Sequence, residues 1–123
     1  MQDNLSRRIT AISLATDRPE DMAQFYQLGF GWDPPKWKGK DHCGFDLDNH
    51  LHFGFDRIKQ GPKRSPGGAV IWFRVADVGA VFNRFISLGA RVRSNVEDDR
   101  DTGETLATLY DLDGNTFGLI GPV

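Results

Sequence analysis

One plan is written twice along this chain, and that repetition limits the fold more than any other feature. Phe45-Asp-Leu-Asp recurs 65 positions later as Tyr110-Asp-Leu-Asp. Asp17, Phe25 and Leu28-Gly29 recur as Asp77, Phe85 and Leu88-Gly89, each displaced by 60. Two halves of about 50 residues therefore fold alike and bury their apolar faces in one core. A chain of 123 residues is long enough for one such pair, so a single domain over residues 1–123 is expected. Its modules are placed at about 8–56 and 68–121, with a polar, Gly- and Pro-rich linker over 57–67.

Several function classes are disfavoured at once. The longest apolar run, Ala69-Val70-Ile71-Trp72-Phe73, is far too short to cross a bilayer, and the N-terminus lacks an apolar signal core. A cytoplasmic protein is the expectation, and the lone Cys43 suits a reducing compartment because it has no partner for an internal disulfide. A net charge of -2 without a basic stripe argues against nucleic acid as a partner.

Residues 9–15 mix β-branched and small residues with Ile12 and Leu14 on one face, which predicts a strand. Asp17, Pro19 and Glu20 predict a helix start, Met22, Phe25, Tyr26 and Leu28 its apolar stripe, and Gly29 its left-handed stop. Short β-runs are predicted at 29–32, 43–47 and 51–55. In the last of these, Leu51, Phe53 and Phe55 alternate with His50, His52 and Gly54. The second half repeats the order. A strand at 70–75 precedes a helix capped by Asp77 and stopped by Gly89; strands at 90–96, 105–110 and 116–120 follow, the last two joined by the Asp111-Leu-Asp-Gly-Asn115 turn. The fold class is α+β, two tandem β-α-β-β-β modules. Leu51, Phe53, Phe55, Ile71, Phe73, Phe85, Leu88, Phe117 and Leu119 are expected between sheets and helices.

Paired β-α-β-β-β modules, Phe25-Tyr26 ahead of Leu28-Gly29-Phe30, and the terminal Asp-x-Asp-Gly-Asn hairpin resemble the vicinal oxygen chelate superfamily. That group includes glyoxalase I, bleomycin-resistance proteins, fosfomycin-resistance enzymes and extradiol dioxygenases. The resemblance spans roughly residues 8–121. It implies curved mixed sheets around a cavity, with helices on the outer face. It also implies metal ligands, in the members that use a metal, on the first and last strand of each module. If Ile71 and Phe73 face the helices, Val70, Trp72 and Arg74 face the cavity, and the four ligand places become Ala11, His52, Val70 and Gly118. Three of these offer no side-chain donor, so no metal and no cofactor is expected there.

The remaining chemistry gathers on few residues. His52 is the candidate general base, with His50 two positions away, and His42 could join them in an unorthodox metal site. Trp72, Trp32 and Trp37 offer flat surfaces to a ligand, or else simply fill the core. Arg74 would hold an anionic group unless an acid such as Glu104 already holds it. The acidic stretch 97–104 reads as a solvated hairpin tip, Lys36, Lys38 and Lys40 as the opposite charge on the other module's loop, and Cys43 as a buried strand cysteine. The expected function is binding of a small molecule by Trp72, Arg74, His50, His52, Trp32 and Trp37, in a homodimer and without the family's usual metal centre. The alternatives are a metal-independent lyase or isomerase using His52 as base, and a non-catalytic interaction subunit.

Overall fold

The computed structural model describes residues 9–48, 51–58 and 69–123. The order of elements is β1 (Ala11–Thr16), α1 (Pro19–Phe30), β2 (Trp37–Lys38), β3 (His42–Leu47), β4 (Leu51–Arg57), β5 (Ile71–Arg74), α2 (Val78–Ser87), β6 (Arg91–Asp98), β7 (Thr105–Tyr110) and β8 (Thr116–Gly121). These build two open four-stranded mixed sheets, ordered β1-β4-β3-β2 and β5-β8-β7-β6. In each, the first strand runs parallel to the last and the other neighbours are antiparallel. The protein is α+β, with two copies of β-α-β-β-β. It divides into two compact units, residues 1–23 with 34–61 and residues 24–33 with 62–123, so α1 begins in one and ends in the other. No helix among the described residues is long and apolar enough to cross a membrane.

In the first unit, alternation along the strands sorts side chains onto two faces. Leu14, Cys43, Phe45, Phe53 and Phe55 are buried on one face, with Phe53 and Phe55 edge to face at 5.2 Å. Ala11, Ser13, His42, Gly44, Asp46, His52, Gly54 and Asp56 alternate with them and occupy the other, as the strand registers require.

The second unit is built on aromatic rings. Phe25, Tyr26 and Phe30 of α1 pack with Phe73 of β5, Phe85 of α2 and Phe117 of β8, with centroid separations from 4.5 to 6.4 Å. Phe25, Tyr26, Phe85 and Phe117 are almost wholly buried, each contributing roughly 1.5–3 kcal/mol by leaving water. Asp77 caps α2 by accepting from the Ala80 amide at 3.0 Å, and Gly89 follows the helix at φ +107°, where a Cβ would be strained. The exposed edge strand β6 carries two register shifts, which deny a flat edge to another chain.

The Asp111-Leu-Asp-Gly-Asn115 turn is held together by the Asp111 carboxylate. Asp111 Oδ1 accepts from the amides of Asp113 and Asn115, both at 2.9 Å, and Gly114 takes the positive φ of +85°. Its other oxygen accepts from the hydroxyl of Tyr26 at 2.8 Å and from Asn115 Nδ2 at 3.0 Å. The two motifs singled out in the sequence, Phe25-Tyr26 and the Asp-Gly-Asn turn, are thus joined by one buried hydrogen bond. Burial pushes the Asp111 carboxyl above its ordinary range, opposed by the bonds from Asn115 and Tyr26. Burial, and then the Asp111 charge, push the Tyr26 phenol well upward.

Several sequence expectations are corrected. α1 does not stop at Gly29 but continues to Phe30, and the left-handed residue is Gly31 at φ +73°. Gly29 lies inside the helix because the Phe85 ring occupies its side-chain space; a Cβ there would sit 2.0 Å from Cε1. The apolar stripe is therefore 22, 25, 26 and 29, at helical spacing, and Leu28 falls off it, 47% exposed. Residues 29–32 form no strand; the module's second strand is Trp37–Lys38. The cap of α1 also shifts, since the Arg18 carbonyl accepts the helix's first amide bond from Met22, placing Arg18 rather than Asp17 at the cap position. Of the expected core, Phe53, Phe55, Phe85, Phe117 and Leu119 are buried, while Leu51, Ile71, Phe73 and Leu88 are half-buried.

Candidate functional site

The polar face of the first sheet carries a motif that appears twice within 15 residues. His42-Cys-Gly-Phe-Asp46 lies on β3 and His52-Phe-Gly-Phe-Asp56 on β4. The antiparallel register sets His42 opposite Asp56, Gly44 opposite Gly54 and Asp46 opposite His52, a pseudo-twofold arrangement. Alternation puts all six residues on one face.

The side chains close into a continuous chain of hydrogen bonds. His42 Nδ1 lies 2.6 Å from Asp56 Oδ1, His52 Nδ1 lies 3.0 Å from Asp46 Oδ1, and the two Nε2 atoms meet at 2.7 Å with the rings stacked 4.9 Å apart. Carboxylate oxygens accept, so each Nδ1 carries a hydrogen, and a single hydrogen lies between the Nε2 atoms. Hydrogen bonds from His52 and then from Trp37 hold the Asp46 carboxyl at about 2.

The paired glycines make this possible. A Cβ at Gly44 would stand 2.5 Å from His52 Nε2 and 2.9 Å from His42 Nε2; one at Gly54 would stand 2.6 Å from His42 Cε1. The Nε2–Cε1 edges of both imidazoles occupy the space that side chains at Gly44 and Gly54 would need. Both remain partly open, with side-chain exposures of 32% for His42 and 22% for His52. Trp37, paired with Gly44 across β2 and β3, stands at the edge of the cluster. Its indole N–H donates to Asp46 Oδ1 at 3.2 Å, its ring meets His52 edge to face at 6.5 Å, and half its surface is exposed. Lys36 Nζ lies 3.3 Å from Asp46 Oδ2.

The corresponding face of the second sheet is different. Trp72 lies flat over Gly118, where a Cβ would come within 2.2 Å of the indole, and it is 46% exposed. Ser94 and Thr108 share a hydrogen bond of 2.6 Å. Arg74 is held by both carboxylate oxygens of Glu104, with Nη2 to Oε1 at 3.0 Å. Trp72 and Arg74 thus lie on the face opposite Phe73, as their alternation predicts. Trp32 belongs to the aromatic core, stacked on Phe30 at 4.9 Å. His50 lies outside the described residues, as does most of the 57–67 linker. Cys43 is buried on the apolar face, and its thiol is pushed up by burial and then by Glu20, which suits packing better than nucleophilic attack.

The structure therefore joins His52 with His42 and Trp37, and it adds Asp46, Asp56, Gly44 and Gly54, which the sequence reading passes over. The signal was present in the ten-residue spacing of the two His-x-Gly-Phe-Asp copies, which acquires meaning once the strands are known to be antiparallel.

Open mixed sheets from tandem β-α-β-β-β units define a fold shared with several solved proteins. A glyoxalase-related enzyme from Fulvimarina pelagi is similar with a TM-score of 0.81 and 18% identity, covering 94% of this chain and 88% of that one. A glyoxalase/bleomycin resistance protein/dioxygenase family enzyme from Burkholderia phytofirmans PsJN is similar at 0.78 and 19%, covering 93% and 98%. The oxidase ChaP-H1 is similar at 0.74 and 16%, covering 96% and 98%. These likenesses establish the fold. Comparison with the curated proteins finds no match. The description Glyoxalase-like domain matches residues 11–120, and the chain belongs to that family, within the vicinal oxygen chelate superfamily.

The residues at the four places expected for the superfamily's metal do not fit such an ion. Ala11, Val70 and Gly118 carry no donor, and the space above Gly118 is filled by the Trp72 ring.

Proposed function

We propose that this protein binds a small planar molecule against the polar face of its first sheet and does so without the family's usual four-donor metal centre. The observation that carries this reading is the Asp46–His52–His42–Asp56 chain laid on the Gly44/Gly54 floor. Such a chain fixes the orientation of two imidazoles that stay partly open to a ligand, while the exposed Trp37 ring supplies a flat apolar wall. Two carboxylates flank the imidazoles and Arg74 already holds Glu104, so a ligand with a hydrogen-bonding edge fits better than a strongly anionic one. Trp72 and Arg74 are the second unit's candidates for ligand contact.

A second reading has one observation of its own in favour. Asp46 orients His52 through Nδ1, the arrangement by which a carboxylate positions an imidazole for proton transfer, with Nε2 available to a substrate once the His42 ring moves off it. In that case His52 is the general base of a metal-independent lyase or isomerase.

Tryptophan fluorescence titration against a library of heteroaromatic and carboxylate compounds tests both. Saturable quenching that is lost in Trp37→Ala and weakened in His52→Ala supports binding at this face. Turnover that disappears in His52→Ala while quenching persists favours the enzyme. Quenching abolished by Trp72→Ala and untouched by Trp37→Ala overturns the placement. No saturable ligand at all leaves a non-catalytic interaction subunit.

A further inference from the structure

We propose that the two His-x-Gly-Phe-Asp strands form a two-imidazole site for a divalent transition-metal ion of the kind nitrogen ligands favour, zinc or copper. His42 and His52 are the ligands through Nε2. Of the family's four ligand places the site uses His52 alone, and its second donor, His42, comes from the adjacent strand of the first sheet. Nor does it rest on the small-molecule reading, because the ion can bind whether or not an organic ligand does.

Three observations converge. The two Nε2 atoms point at one another, 2.7 Å apart. Two imidazole nitrogens sharing a tetrahedral ion at bonds of about 2.0–2.1 Å stand roughly 3.3 Å apart, so the rings need to part by about 0.6 Å and turn both lone pairs to the ion, which displaces the hydrogen they share to solvent. Secondly, each Nδ1 hydrogen is donated to its own carboxylate, Asp56 for His42 and Asp46 for His52. That is the outer-shell arrangement that fixes an imidazole's tautomer with Nε2 toward a metal and raises its basicity as a ligand. Thirdly, the Nε2 atoms are held above Gly44, the floor is clear of side chains, and the rings are partly exposed, leaving room for water to complete the coordination. The flanking carboxylates also offset the charge of the ion. Imidazole donors suit zinc, copper and nickel, and copper(II) stands highest in the affinity series.

The test uses tag-free, chelator-stripped protein titrated with ZnCl2 by calorimetry and with CuCl2 by electron paramagnetic resonance. The expected result is one ion per chain and a copper spectrum with hyperfine structure from two nitrogens. His42→Ala and His52→Ala should each abolish saturable binding. Asp56→Asn, which keeps both ligands, should weaken it by about 10–100-fold, and Cys43→Ser should leave it unchanged. Far-UV circular dichroism confirms that each variant is folded; where an alanine variant is not, His42→Gln and His52→Gln replace it. Absence of saturable binding by the folded wild type, or binding that survives loss of both histidines, overturns the proposal. So does loss of the ion in Cys43→Ser.

Discussion

Replacing Tyr26 by Phe removes one oxygen from the second unit and nothing else. The hydroxyl donates to Asp111 Oδ2 at 2.8 Å between two residues that are 1% and 3% exposed. A hydrogen bond to a charged group contributes about 1.5–3 kcal/mol. Asp111 keeps its bonds from the Asp113 and Asn115 amides and from Asn115 Nδ2, so the carboxylate is not abandoned. The larger penalty of about 3–5 kcal/mol for an uncompensated buried charge therefore does not apply. The expected loss is about 2 kcal/mol, which for 123 residues lowers the thermal midpoint by about 8 °C. Urea denaturation followed by circular dichroism measures it. The loss also depends on pH in a definite sense. Burial raises the Asp111 pKa on folding, so its proton uptake contributes stability that is complete below the unfolded pKa and lost as pH rises through the folded one. The Tyr26 bond favours the ionised form, and removing it raises the folded pKa further. The deficit of Tyr26→Phe must consequently be largest at neutral pH and shrink on acidification. A deficit under about 0.5 kcal/mol, or one that deepens as pH falls, would refute the role given to this bond.

Other perturbations test separate parts of the account. Gly29→Ala gains about 1 kcal/mol of helix propensity but drives a Cβ into the Phe85 ring, so a net loss of about 1–2 kcal/mol is expected in the same urea assay. Gly44→Ala should push the imidazoles off the sheet and separate the two Nε2 atoms; loss of the shared low-field imidazole proton in the NMR spectrum, with the fold retained, is the expected readout. The Asp46 carboxyl is depressed to about 2, so the interaction that holds it is present above its unfolded pKa and lost as pH falls through about 2. NMR titration of its side-chain carbonyl carbon should show no protonation at pH 4.

Much of this architecture is legible in the chain. The displaced copies of Asp17, Phe25 and Gly29, and the recurring aromatic-Asp-Leu-Asp, predict two like modules, and period-2 alternation at Phe53, Phe55, Phe117 and Leu119 predicts their inner faces. Asp77 and Gly89 mark the ends of α2 because their local chemistry is decided within a turn. The end of α1 is not decided that way. Gly29 and Gly31 both satisfy the helix-stop rule, and the choice is made by the Phe85 ring, 56 residues away in sequence, filling the space at Gly29. The site was hidden for a related reason. His52 stands out as a donor on an inward strand position, but its partners are assigned by strand pairing. Only the β3–β4 register brings Asp46 to His52 and His42 to Asp56. Glycines 44 and 54 read as weak points in strands until the rings lying on them are seen.

The two imidazoles form one hydrogen-bonded unit. Long-range nitrogen-15 correlation spectra of the histidine rings in the metal-free protein report this directly. His42 and His52 should each carry a hydrogen on Nδ1, with a strongly deshielded proton shared between the Nε2 atoms and lost in either single alanine variant. Two independent rings with bare Nδ1 nitrogens and ordinary solvent-exchanging Nε2 hydrogens would contradict it.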